Sequence, residues 1–210
     1  MAKCAASTAV CALCLAPSAV FAQQAPLTAG AIYEALSFGV PLPTAPPATG
    51  LPADVRRAWL RYTTRATLFA TRIPKPDGRE LREVWGERIG VERVAFSLFD
   101  ASTAASEAEA FVQALPFYYE AEGDIWTVLA VPDAVDAYIE AHPRTVIRDY
   151  ALFLAGHRRA CAIVDSELMG TPDGADQMQQ ARRDLLLASR STHPLLRLVA
   201  SLELREGCAR

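Results

Sequence analysis

The chain has 210 residues, of which 51% are hydrophobic and 21% charged, and its formal net charge is −3. This length and apolar content suffice for one substantial core, so we expect a single domain. The mild negative charge supports solubility without indicating a partner, and it argues against nucleic-acid binding, which needs a basic surface.

The first 22 residues have the pattern of a secretory signal peptide. Lys3 precedes an apolar or small run from Cys4 to Ala16, and Ala22 stands at the expected cleavage position. An uncleaved membrane anchor is the alternative, but Pro17 interrupts the run before the ~20 residues that a spanning helix needs. We therefore expect a Sec-type signal peptide cleaved before Gln23, a periplasmic or secreted bacterial protein, and no stable membrane insertion after cleavage.

Residues 23–51 form a proline-rich leader or linker, and residues 52–210 form the predicted helical domain. Within the leader, the segment 31–38 predicts one or two helical turns that dock on the body through Ile32, Leu36 and Phe38. Pro52 then suits the first turn of a longer helix. Apolar residues recur every three or four positions after it, which predicts one amphipathic stripe: Val55, Trp59, Tyr62, Ala66, Phe69 and Ile73.

The middle of the chain fits two kinds of secondary structure. A second helix is expected from Leu81, and Gly90 either ends it or joins it to a third segment at 91–101, which fits a strand or a helix. Residues 117–131 fit a β-hairpin, or a kinked continuation through Pro116 of the helix predicted at 104–115. We favour a mainly α fold, a single-domain helical bundle or short helical-hairpin array. The alternative is an α+β fold with a β-α-β-β-α module at 91–141.

The C-terminal half predicts helices throughout. Pro132 is expected to open one helix, and a long helix is expected over 146–169 with Ile147, Tyr150, Leu154, Cys161 and Val164 on its core face. The next helix is marked by four apolar positions: Met178, Ala181, Leu185 and Ala188. Leu195, Leu198, Val199 and Leu202 indicate the last one.

Residues 132–165 resemble one helical hairpin of a tetratricopeptide-like protein. The resemblance rests on the segment Ala134 to Pro143, around Tyr138, followed by a helix of alternating large and small residues. Ala151, Ala155 and Ala160 are small enough for two helices to approach closely. The resemblance covers about a sixth of the chain and implies stacked helix pairs and a protein-binding role.

Cysteine usage fits export from the cytoplasm. Three of the five cysteines lie in the predicted signal peptide, which leaves Cys161 and Cys208 as an even pair. An oxidising compartment favours a disulfide between them. His157 lies one helical turn before Cys161, but a metal site needs two more ligands, so we expect His157 to serve helix packing and expect neither metal nor cofactor.

Charged residues are distributed unevenly. Four arginines of the first long helix share one face, whereas nine acidic residues and no basic residue occur between positions 94 and 143. Either these two regions face each other within the fold or each is a solvated or binding surface. The candidate binding residues are therefore the arginine stripe, Arg57, Arg61, Arg65 and Arg72, and a polar group formed by Tyr118, Tyr119, Glu122, His157 and Arg158.

The sequence contains no standard nucleophile, zinc-protease, P-loop or dinucleotide motif. We therefore assign no catalytic residue. We expect a binding or scaffold protein, periplasmic or secreted, that interacts with another protein. One alternative is a small hydrolase-type enzyme that uses Glu122 with His157 or Tyr119. A receptor for a small anion is the other alternative.

Overall fold

The computed structural model describes residues 27–39, 50–70, 81–99, 101–116, 125–164 and 166–208. Across these residues the secondary structure is helical, with eight α-helices and no strand. The helices are α1 Ala29–Phe38, α2 Ala53–Ala70, α3 Leu81–Leu98, α4 Ala101–Ala114, α5 Ile125–Ala141, α6 Arg148–Val164, α7 Pro172–Ala188 and α8 Pro194–Glu206. The prediction of a mainly α fold is thereby confirmed.

The helices form an array that closes on itself. Each helix from α3 to α8 packs against the helix before it, and α8 returns to contact α1, α2 and α6. One continuous apolar core runs through the array, from Ile32 and Trp59 to Tyr150 and Leu196. Most of the stripe predicted on α2 faces this core: Val55, Trp59, Tyr62 and Phe69 are buried and Ala66 is half-buried, whereas Ile73 lies outside the described residues.

Helix α6 is the centre of the fold. Every residue from Tyr150 to His157 is buried, because α5, α7 and α8 cover this helix on several sides. The helix is shorter than the predicted 146–169: it ends at Val164, which is exposed, and a turn with Gly170 at φ 84° precedes α7. Pro172 and the Thr171 side chain, which accepts from the Gly174 N–H, begin α7.

The β-containing alternative at 91–141 is wrong for the described residues of that region. Residues 91–98 belong to α3, which runs through Gly90 rather than ending there, and residues 125–131 belong to α5. The predicted start at Pro132 is therefore wrong by seven residues, because an apolar turn precedes it and the proline lies inside the helix. Helix α4 ends at Ala114, so it does not continue through Pro116, and residues 117–124 lie outside the described residues.

Helix α1 lies in the segment interpreted as a leader, yet it belongs to the core. Ile32 and Leu36 are fully buried, as predicted, whereas Phe38 is 54% exposed and Tyr33 is buried instead. The helix ends at Gly39, whose φ of 62° favours glycine. A Cβ at Gly39 would lie 2.5 Å from the Cα of Gly90, so the two glycines allow the end of α1 to touch the backbone of α3.

The predicted signal peptide and its cleavage site lie outside the described residues. Among the helices of the described residues, none combines the length and the apolar character required to cross a bilayer. The division into signal peptide, leader and helical domain stays a prediction.

Candidate functional site

A disulfide ties the end of the chain to the central helix. Cys161 on α6 and Cys208, two residues after the end of α8, are bonded with their Cα atoms 5.3 Å apart. This is the pair that the sequence predicts. Both residues are partly exposed, so the bond lies at the boundary between core and solvent.

His157, one turn before Cys161, is enclosed by polar and aromatic groups from three helices. Its Nδ1 lies 3.1 Å from the Tyr33 hydroxyl of α1 and 3.2 Å from each carboxylate oxygen of Glu203 on α8. The Phe153 ring stacks on the imidazole at a centroid distance of 5.8 Å. His157 is 2% exposed and Glu203 3%, which makes them a buried polar pair at the meeting point of α1, α6 and α8.

A pocket of about 250 Å³ opens between α6, α7 and α8 beside this pair. Among the described residues most of its lining is apolar, and Glu203 and Arg182 are the charged groups. The disulfide forms part of the wall through Cys208. The described residues that line it are Ala160, Val164, Met178, Ala181, Arg182, Leu185, Glu203, Leu204, Gly207 and Cys208.

The outer face of α7 carries an exposed row that we call the α7 ridge: Met178, Arg182 and Leu186. These residues are four apart, so they follow one another along one side of the helix. Met178 is 37% exposed and Leu186 is 41% exposed, although the sequence analysis counts Met178 with the buried Ala181 and Leu185 among the apolar positions that mark this helix. Arg182 borders the pocket on one side and a second hollow, lined also by Gln179 and Leu186, on the other.

A buried arginine holds α5, α6 and α7 together. Arg159 on α6 is 2% exposed and donates to Asp133 and Asp136 of α5 at 2.8 and 2.7 Å. It also donates to Asp184 of α7 at 3.1 Å, and that carboxylate is 1% exposed. Desolvation and the nearby charge of Asp136 raise the pKa of Asp184 to about 6, although Arg159 opposes this shift.

The predicted arginine stripe is not one uniform surface. Arg57 and Arg61 are exposed, whereas Arg65 is partly buried and donates to the carbonyl of Phe99, just past the end of α3, at 2.9 Å. His193 lies near this region, and burial together with the positive charges of Arg61 and Arg65 lowers its pKa to about 4. Arg72 lies outside the described residues.

The second predicted group is only partly described, because Tyr118, Tyr119 and Glu122 lie outside the described residues. Arg158 forms an ion pair with Glu87 of α3, and Arg159 pairs with α5 and α7. The sequence reasoning missed Glu203, Tyr33 and the α7 ridge. The recurrence of Met178, Arg182 and Leu186 at four-residue intervals was an available signal for the ridge.

The resemblance at 132–165 has a structural counterpart in α5 and α6, which pack against each other. Comparison of the chain with protein-family models, curated proteins and solved structures found no match. The tetratricopeptide-like character of this hairpin therefore stays a prediction.

Proposed function

We propose that this chain is an exported binding protein that recognises a protein partner through the α7 ridge and the pocket beside it. The observation that carries the proposal is an exposed apolar and basic row, Met178, Arg182 and Leu186, between two hollows of the surface. Export rests on the signal-peptide pattern of the first 22 residues and agrees with the Cys161–Cys208 disulfide.

The composition of this surface supports a protein partner. Interfaces combine an apolar centre with a polar rim, and methionine and arginine are enriched in them. Here the apolar centre is the pocket mouth with Met178 and Val164, and the rim contains Arg182, Arg183 and Gln179. A pocket of about 250 Å³ accommodates one large apolar side chain of the partner, the kind of anchor that dominates binding energy.

The surroundings of His157 favour binding over catalysis. The imidazole is 2% exposed, and its Nδ1 is already in contact with Tyr33 and Glu203, so the ring is positioned for packing rather than for contact with a substrate. The hydrolase hypothesis needs Glu122 or Tyr119, which lie outside the described residues. It stays an untested alternative.

A receptor for a small anion is a second candidate, supported by the group around His193. The positive charges of Arg61 and Arg65 act on this imidazole. Its Nδ1 is buried and has no hydrogen-bond partner within the described part of the chain. A bound anion would stabilise the imidazolium and raise the His193 pKa. Titration of His193 by NMR with and without sulfate tests this candidate; an unchanged pKa rejects it.

Charge reversal tests the proposed interface against the predicted arginine stripe. The ridge variant is Met178→Ser with Arg182→Glu, and the control variant is Arg57→Glu with Arg61→Glu on α2. All four side chains are exposed, so both variants should keep the circular dichroism of the parent. A protein captured from the native envelope by the parent and by the control, but not by the ridge variant, supports the proposal. Loss of capture in the control alone contradicts it.

Localisation is tested separately. The full chain, expressed with a C-terminal tag in a bacterium, should be recovered from the periplasm or medium with its mature N-terminus at Gln23. Recovery from the cytoplasm with Met1 or Ala2 at the N-terminus contradicts export and leaves the ridge experiment valid.

A further inference from the structure

We propose that reduction of the Cys161–Cys208 disulfide creates a zinc-binding site whose ligands are the two cysteine sulfurs, His157 Nδ1 and a carboxylate oxygen of Glu203. In the disulfide form the sulfurs are bonded to each other and the site does not exist. The proposal is independent of the proposed protein interface, and it goes beyond the sequence-based expectation of no metal.

The four side chains match the ligand chemistry of zinc. Two thiolates, an imidazole nitrogen and a carboxylate oxygen are all donors that Zn²⁺ accepts in tetrahedral sites. The ligand atoms of His157, Cys161 and Cys208 lie within 4.8 Å of one another. Glu203 adds an oxygen 3.2 Å from the imidazole nitrogen, and its carboxylate is 1% exposed. His157 and Cys161 lie on α6, Glu203 lies on α8, and Cys208 lies two residues after the end of α8.

Two ligand separations already have tetrahedral values. Zn–N and Zn–O bonds of about 2.0 Å and a Zn–S bond of about 2.3 Å give edges of about 3.3 Å for N···O and about 3.5 Å for N···S. The His157 Nδ1 lies 3.2 Å from the Glu203 oxygens and 3.5 Å from Cys161 Sγ. To complete the site the two sulfurs have to separate to about 3.8 Å, and the Glu203 carboxylate has to turn toward them, because the ligand atoms that lie within 4.8 Å of one another are those of His157, Cys161 and Cys208.

The position of Cys208 allows this movement. Helix α8 ends at Glu206, and Gly207 follows with a φ of 81°. Cys208 therefore lies beyond the last helical turn. Cys161, His157 and Glu203 are by contrast held on helices. Rotation at Gly207 and about the Cys208 side chain therefore opens the site without displacing α6 or α8.

The chemical steps balance with one external reagent, a dithiol reductant. The dithiol transfers two electrons and two protons to the S–S bond, which breaks to give two cysteine thiols, and the dithiol becomes a disulfide. Zn²⁺ then binds both sulfurs as thiolates and the Nδ1 of a neutral His157 that carries its proton on Nε2, and the two thiol protons pass to solvent. Oxidation of the thiols by an acceptor disulfide reverses both steps and releases the metal.

Cobalt titration tests the proposal, because tetrahedral Co²⁺ bound to thiolates absorbs through sulfur-to-metal charge transfer. The full-length mature protein is reduced, freed of reductant without oxygen, and titrated with Co²⁺ and then Zn²⁺. We expect one equivalent of Co²⁺ with thiolate absorption, displaced by one equivalent of Zn²⁺, and no such absorption for the oxidised protein. Reduced protein without thiolate absorption contradicts the proposal.

Substitutions separate the ligands. Cys161→Ser and Cys208→Ser should abolish the thiolate site, and His157→Gln and Glu203→Gln should weaken Zn²⁺ binding at least tenfold. His142→Gln, an exposed histidine of the turn after α5, is the matched control and should bind as the parent does. Unchanged affinity in Glu203→Gln or His157→Gln contradicts the ligand set. If reduction lowers helicity, Zn²⁺ should restore the circular dichroism of the oxidised protein, and failure to restore it also contradicts the proposal.

Discussion

Replacement of Asp184 by asparagine should change the pH dependence of folding stability in a direction that the structure specifies. Burial and the charge of Asp136 raise the pKa of Asp184 from 3.8 to about 6 in the folded protein. Between these pH values the folded state binds the proton more tightly than the unfolded state does. The stability from this group is therefore complete below pH 3.8 and is lost as the pH rises through 6.

The shift of about 2 pH units corresponds to about 3 kcal/mol of unfolding free energy, because one unit is worth about 1.4 kcal/mol. The Asp184 carboxylate is 1% exposed, so solvent screens this effect little. Asparagine does not titrate. The difference in stability, parent minus Asp184→Asn, should therefore decrease by about 2 kcal/mol between pH 4 and pH 6, because the rest of the effect falls below pH 4 and above pH 6.

His193 gives the opposite slope and serves as an internal contrast. Burial and the charges of Arg61 and Arg65 lower its pKa from 6.5 to about 4. The unfolded state then binds the proton more tightly, so this contribution is present above pH 6.5 and is lost as the pH falls to 4. The difference in unfolding free energy, parent minus His193→Gln, should increase by about 3 kcal/mol as the pH rises from 4 to 6.5. In the parent protein the effects of Asp184 and His193 therefore oppose each other between pH 4 and 6.

Urea unfolding followed by circular dichroism at pH 4, 5, 6 and 7 measures these differences. Asp54→Asn is the control, because Asp54 forms an exposed pair with Arg197 and should change stability by less than about 1 kcal/mol at each pH. Profiles of Asp184→Asn and His193→Gln that both run parallel to the parent would refute the assignment of buried, shifted groups at these positions.

Two further substitutions test the packing of α6. Arg159→Met should lower the unfolding free energy at pH 8 by about 3–5 kcal/mol, because it leaves the buried Asp184 charge without its arginine. Asp133→Asn, which changes a carboxylate that is 62% exposed, should lower it by less than about 1 kcal/mol. Equal losses in the two variants would contradict the role of Arg159 as a buried link between helices. Gly156→Ala should lower the unfolding free energy by about 1–3 kcal/mol, because the added Cβ would lie 2.9 Å from the Ala181 carbonyl oxygen. Gly86→Ala on α3 has open space around it, so it should be neutral or raise the unfolding free energy by up to about 1 kcal/mol. Thermal or urea unfolding measures both changes. A destabilised Gly86→Ala and an unaffected Gly156→Ala would contradict the packing described.

The helical class was predictable because local patterns and tertiary packing agree over most of the chain. The stripe on α2 and the apolar positions of α8 depend only on the 3.6-residue period, which the sequence displays directly. The disulfide was predictable from the count of cysteines outside the predicted signal peptide. These inferences need no knowledge of which helix lies next to which.

The errors occur where a distant part of the chain decides the local structure. Gly90 was expected either to end a helix or to join it to the next segment; it lies inside α3, where the backbone of Gly39 packs on it. The sequence analysis did not predict the contacts of Arg159. This residue binds carboxylates of both α5 and α7, and these contacts depend on the three-dimensional order of the helices.

Which side chains of a helix remain exposed depends on the same kind of distant packing. Sequence periodicity groups Met178 with Ala181 and Leu185, but only the latter two are buried, whereas Met178 is 37% exposed. Conversely, a uniform arginine stripe on α2 was expected, but Arg65 is used to bind the end of α3. Burial by neighbours, rather than spacing alone, decides which members of a stripe remain available to a partner.

Site-specific photocrosslinking in the producing cell tests the central claim, recognition through the α7 ridge, most directly. A photoreactive residue placed at position 182 and, separately, at position 61 compares the ridge with the arginine stripe at two exposed sites. The proposal predicts one discrete protein adduct from position 182, abolished when Met178→Ser is added, and none from position 61. An adduct from position 61 with none from position 182 would contradict it.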